Sequence, residues 1–161
     1  LYNCKMVQAQ DGVSVESDTL GALLYPLEGD TFALDMVIKP ERYHEFGIAL
    51  HVDKELETGY FLRMNPKNQL VAWDMWPRGE QGRYQWQIKG DVPYQLETAR
   101  KLPKAEEYRV HIITEKDICV VYINDEIVLS TRMYNHKDGY AGIYVVQGNV
   151  KLIQYKEKRS E

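Results

Sequence analysis

The sequence predicts an all-β protein, a single antiparallel β-sandwich of jelly-roll type. Three observations carry this expectation. Apolar residues recur at every second position over roughly a dozen short runs, the period of a strand with one face buried. Turn chemistry separates the runs at close spacing. Long apolar stripes at helical spacing are absent.

The runs can be taken in order. The first 26 residues read as one or two strands, at an edge or pairing with the C-terminal strand. Phe32, Leu34, Met36 and Ile38 then alternate with Ala33, Asp35 and Val37. Ile48 and Leu50 alternate with Ala49 and His51, and Tyr60, Leu62 and Met64 with Phe61, Arg63 and Asn65. Val110 and Ile112 alternate with Arg109 and His111, and Ala141, Ile143 and Val145 with Gly142, Tyr144 and Val146. A last strand is expected over residues 150–155. Glu28-Gly29-Asp30, Lys39-Pro40-Glu41, Asn65-Pro66-Lys67-Asn68, Lys89-Gly90-Asp91 and Gly148-Asn149 are the turn signals between them. Residues 77–102 carry Gly79, Gly82, Gly90 and Pro93 and read as long excursions from the sandwich. Residues 101–108 read as a connection. The basic run Lys156-Glu157-Lys158-Arg159 reads as a solvated tail.

Composition narrows the function. The 161 residues suffice for one domain with a core, and no Gly/Ser linker divides them. No apolar run has the length of a helical membrane span. Net charge is -4 with Lys and Arg scattered, which argues against nucleic-acid binding. Cys4 and Cys119 form no metal pattern, and Cys119 lies in an apolar strand that suits a buried thiol. His44, His51, His111 and His136 lack metal-ligand spacing, no Asp-x-Asp-x-Asp run suggests calcium, and no cofactor motif occurs. The first residue is Leu1, not Met, as in a piece of a longer protein.

Residues 118–134, Ile-Cys-Val-Val-Tyr-Ile-Asn-Asp-Glu-Ile-Val-Leu-Ser-Thr-Arg-Met-Tyr, read as two strands joined by a tight turn at Asn124-Asp125-Glu126. With Thr131, Arg132 and Tyr134 behind the turn, and Gly139, Gly142, Ile143, Tyr144 and Gly148 beyond, this stretch resembles the closing part of the C-terminal β-sandwich of family-32 glycoside hydrolases. That is the invertase, inulinase and levanase group. Glu126 departs from the family pattern, which has Gly there. Residues 31–77 look more loosely like sugar-binding jelly rolls of the concanavalin-lectin type, on Gly59-Tyr60-Phe61-Leu62-Arg63-Met64-Asn65 and Leu70-Val71-Ala72-Trp73.

The resemblance implies a single domain over residues 1–161, the C-terminal module of a larger glycoside hydrolase acting on fructose-containing sugars. Its partner would then be an N-terminal catalytic domain, which it stabilises. An extracellular or periplasmic place follows if the parent degrades polysaccharide. The family's catalytic strings, Asn-Asp-Pro-Asn, Arg-Asp-Pro and Glu-Cys, do not occur in the sequence. The expectation is therefore a non-catalytic chain. The alternative is a carbohydrate-binding module with its own site for fructose-containing saccharides. A stand-alone glycosidase is the third reading, and it needs two carboxylates converging across a bond.

The candidate sugar site is the window Trp73-Asp74-Met75-Trp76-Pro77-Arg78, followed by Arg83, Tyr84 and Trp86. Sugars present apolar C–H faces and a rim of hydroxyls, which rings and charged side chains match. Strand parity buries Trp73 and Met75 and turns Asp74, Trp76 and Arg78 toward a groove, with Arg63 of the preceding strand on the same face. The candidate binding residues are therefore Arg63, Asp74, Trp76, Arg78 and Trp86. Each tryptophan could serve the core instead. The window could also dock on the missing catalytic domain. Arg132 and Tyr134 are candidates for an interface or a structural ion pair. His51 and Asp53, at a strand end, could join a polar site.

Overall fold

A computed structural model describes residues 2–76, 94–95, 99–133 and 138–159. Twelve strands make it up: β1 (Lys5–Ala9), β2 (Gly12–Pro26), β3 (Phe32–Arg42), β4 (Glu45–Val52), β5 (Gly59–Asn65), β6 (Leu70–Trp76), β7 (Tyr94–Gln95), β8 (Arg100–Lys101), β9 (Tyr108–Glu115), β10 (Ile118–Ile123), β11 (Ile127–Arg132) and β12 (Tyr140–Arg159). No helix occurs among the described residues. Every named strand pairing is antiparallel.

Two long strands, β2 and β12, organise the sandwich. The C-terminal part of β12 pairs with β3, and β9, β10 and β11 follow outward. The N-terminal part of β12 pairs with β4, and β5 and β6 follow, with β7 and β8 on the far edge of β6. β2 accompanies β12 through both sheets, and β1 covers its N-terminal part. The passage between sheets is a register shift between Val146 and Gly148, with Gln147 at φ 51°. A side chain at Gly148 would put Cβ 1.8 Å from the Arg42 carbonyl oxygen, so only glycine lets the backbones approach there.

Alternation delivers the core. Phe32, Leu34, Met36 and Ile38 of β3 face Phe46, Ile48 and Leu50 of β4 and Tyr60, Leu62 and Met64 of β5, all buried. Phe46 meets Tyr108 across the two sheets with ring centroids 5.9 Å apart. Trp73 is fully buried in this layer, as its parity predicts. β4 is covered on both faces, because Ala49 and Val52 belong to a second cluster on the outer side of its sheet.

Three expectations need correction, the first being the turn at Lys39-Pro40-Glu41, which lies within β3 and pairs with β12. The strands expected around residues 141–146 and 150–155 are one strand, β12, and Gly148-Asn149 is a bulge within it. Lys156–Arg159 is no tail: Lys156 pairs with Asp35 and Arg159 with Phe32. The 124–126 turn keeps its place despite Glu126. Asn124 and Asp125 both take positive φ, at 51° and 57°, and the Glu126 N–H donates to the Ile123 carbonyl at 3.1 Å. A type I′ turn needs positive φ at both central residues, and Asn and Asp tolerate it, so glycine is dispensable. Both cysteines are free, Cys119 buried and Cys4 partly so.

Candidate functional site

The outer face of the β4–β5–β6 sheet carries the polar cluster. Register sets Tyr144 of β12 beside Gly47 of β4, Gly47 beside Arg63 of β5, and Phe61 of β5 beside Asp74 of β6. Small residues make the space. A Cβ on Gly47 would lie 2.8 Å from the Tyr144 ring and 2.0 Å from the Leu62 carbonyl oxygen. Tyr144 therefore lies over the sheet, edge-on to Phe61 with ring centroids 5.5 Å apart.

Arg63 is the centre of the cluster. Its Nη1 donates to Asp74 Oδ2 at 2.8 Å, and its Nε donates to Glu45 Oε1 at 2.9 Å. Nη2 stands 2.8 Å from the same Glu45 oxygen. The Tyr144 hydroxyl donates to Glu45 Oε2 at 3.3 Å. A guanidinium has five N–H groups. With three committed here, each Nη keeps one more. The Arg63 side chain is 47% exposed, against 19% for Glu45 and 3% for Asp74. The buried Asp74 and partly buried Glu45 carboxylates thus hold a half-open cation in a fixed plane.

Electrostatics follow from burial. Burial disfavours the Asp74 carboxylate and pushes its pKa up, and the Arg63 hydrogen bond and charge offset only part of this. Burial works against the Arg63 charge too, but hydrogen bonds to Asp74 and Glu45 outweigh it and hold the guanidinium protonated. The two partners pull in opposite senses. The burial of Asp74 dominates its own titration, because Arg63 is half in water and screened. Burial, reinforced by the Glu45 charge, raises the Tyr144 hydroxyl well above its ordinary value.

The structure joins Arg63 and Asp74 on the face that parity assigns them, with Asp74 buried beneath Arg63 and not open to a groove. Trp76 ends β6, paired with Gly59, and its side chain lies outside the described residues. Arg78, Trp86 and Tyr134 also lie outside them. Arg132 is exposed at the end of β11, 3.7 Å from Asp117, far along the other sheet. Asp53 serves its own turn, accepting from the Glu57 and Thr58 N–H groups. His51 is buried at positive φ, edge-on to Phe32, with Nδ1 2.9 Å from the Asp138 carbonyl oxygen. Among the described residues no three His, Cys, Asp or Glu side chains gather as a metal site requires.

Glu45, Phe61 and Tyr144 are the cluster members that the sequence did not single out. Phe61 shares the parity of Arg63 and could have been found from it. Glu45 and Tyr144 arrive from β4 and β12, and only the strand order brings them there.

No protein-family profile and no curated protein matches the sequence. Solved structures do match in shape. The carbohydrate-binding module CBM66 from Bacillus subtilis is similar, with TM-score 0.78 and 17% identity, covering 97% of this chain and 92% of that one. A candidate glycosyl hydrolase from Parabacteroides distasonis is similar, with TM-score 0.60 and 14% identity over 97% of this chain and 83% of that one. Chicken galectin 2 is similar, with TM-score 0.52 and 9% identity over 83% of this chain and 100% of that one. The chain has the antiparallel β-sandwich fold of galectins and of this carbohydrate-binding module.

Proposed function

We propose that this chain is a non-catalytic carbohydrate-binding module, that its site is the Arg63 face, and that it serves a glycoside hydrolase acting on fructose-containing sugars. The observation that supports it most is the Arg63 guanidinium, fixed by Glu45 and Asp74 and half open to solvent. Two spare N–H groups on a rigid fork suit two hydroxyl oxygens of one sugar. Phe61, half-buried beside Asp74, offers a ring for the sugar's C–H face. Holding the fork in advance lowers the entropy cost of binding.

The same geometry speaks against catalysis at this face. A general acid or nucleophile needs a carboxylate free to exchange a proton or attack. Here both carboxylates accept from one guanidinium. The fold likeness to a carbohydrate-binding module favours a carbohydrate ligand, and the resemblance of residues 108–155 to the family-32 sandwich favours a fructan.

A stabilising role toward a neighbouring catalytic domain is the second reading. Ile113, Ile118 and Val128 stand 41%, 44% and 48% exposed on the outer face of the other sheet, an apolar strip of the kind interfaces use.

Affinity electrophoresis in gels containing levan or inulin tests the first reading. The chain should be retarded, and Arg63→Lys, which keeps the charge but loses the fork, should migrate freely. Equal mobility of the wild-type chain with and without polysaccharide would count against it.

A further inference from the structure

We propose a second saccharide-binding site on the opposite face of the sandwich, in the groove over β3, β9 and β10. It extends the reading of the chain as a carbohydrate-binding module. Asp35, His111, Tyr122 and Val128 stand in one row across four adjacent strands. All four point away from the core, because their strand neighbours Leu34, Met36, Val110, Ile112, Val121, Ile123 and Leu129 fill it. The groove above Asp35, His111 and Tyr122 has a volume of about 510 Å³.

The residue chemistry suits a neutral sugar. The Tyr122 ring is 37% exposed and lies 6.2 Å from the His111 ring, tilted by 36°, so the two make an aromatic floor. Asp35 hydrogen-bonds His111 Nδ1, which orients the ring and leaves Nε2 for a ligand hydroxyl. Gln154 of β12 also lines the groove, and Arg109 and Asp125 border it 3.6 Å apart. The fixed charges balance: Arg109 stands 3.6 Å from Asp125, and Lys156 is the ladder partner of Asp35. A surface whose charges cancel in this way favours a neutral polyol over a phosphate or a carboxylate. Val128 at the end of the row and Ile113 beside it, both exposed, extend the apolar floor for further sugar units of a chain.

Two sites on opposite faces would let one domain engage two segments of polysaccharide, so that the second contact becomes intramolecular or cross-linking. Amide chemical-shift titration with levan and inulin oligosaccharides tests the site and separates it from the Arg63 face. Saturable shifts are expected at residues 109–113 and 120–124, and independently at residues 45–49, 61–63 and 72–74. Tyr122→Ala, at an exposed position, should weaken binding at the first set by about tenfold or more and leave the second unchanged. Asp35→Leu, which removes the acceptor that orients the His111 ring, should weaken the first set alone. Shifts confined to the Arg63 face would overturn this proposal and spare the first reading. Shifts confined to the Tyr122 face would overturn the first reading and sustain this one. Silence at both faces with every oligosaccharide would overturn both.

Discussion

Arg63 Nη1 lies 2.8 Å from Asp74 Oδ2 across the β5–β6 ladder, with one partner half in water and the other almost wholly buried. The pair is therefore asymmetric. Removing the cation strands a buried carboxylate, whereas removing the carboxylate's charge leaves a guanidinium that still holds Glu45 and reaches solvent. Arg63→Ala should cost about 3 kcal/mol and Asp74→Asn about 1 kcal/mol. Urea unfolding of both variants checks the order, and equal costs would refute the asymmetry.

The same pair sets a pH dependence. Burial raises the Asp74 pKa, so the folded chain holds that proton more tightly than the unfolded chain. The resulting stability is fully present below the ordinary Asp value of about 4 and is lost as pH rises through the folded value. The stability of the wild-type chain minus that of Asp74→Asn should therefore fall as pH rises from about 4 upward. Unfolding midpoints of both proteins across that window check the sign. A difference that grows with pH would mean that Arg63, and not burial, governs this carboxyl.

Cys119 is buried on β10, and burial pushes its thiol pKa up to about 12. Cys4 is partly exposed, and burial raises it too, with its Sγ 3.3 Å from the Ala22 carbonyl oxygen. Thiolates are the reactive species, so a thiol reagent at neutral pH should modify Cys4 slowly and Cys119 only on unfolding. Mass spectrometry before and after denaturant reads the two sites. Modification of Cys119 in the native chain would show that β10 opens readily.

Trp73 is fully buried between the sheets, and its indole Nε1 has no hydrogen-bond partner among the described residues. Trp73→Ala should cost about 3–5 kcal/mol through the cavity it leaves. Trp73→Phe should cost much less, because it also removes an unsatisfied N–H. Thermal unfolding of the two variants checks this, and similar losses would imply that the indole nitrogen is satisfied in solution.

The extent of sequence legibility follows from where the signals sit. Strict alternation in β3 gave both its existence and its buried face, because one side chain in two enters the core. Parity likewise set Arg63 and Asp74 on one face. β12 was less legible: Gly148-Asn149 looks like a turn, yet its neighbours continue in one strand and the glycine serves a close backbone approach to Arg42. Lys156 and Lys158 resemble a tail by charge, but they occupy the solvent side of a paired strand whose inward residue is Tyr155, stacked on Tyr25 at 4.3 Å. Glu45 and Tyr144 could not be assigned to the site from local pattern, because they join Arg63 only through the order β12–β4–β5.

Saccharide binding at the Arg63 face is the central claim, and calorimetric titration with fructose, sucrose, inulin and levan tests it most directly. The account predicts saturable heat with at least one of them, lost in Arg63→Lys and strongly reduced in Phe61→Ala while both variants stay folded. Undiminished binding by Arg63→Lys, or no heat from the wild-type chain with any of the four, would contradict it.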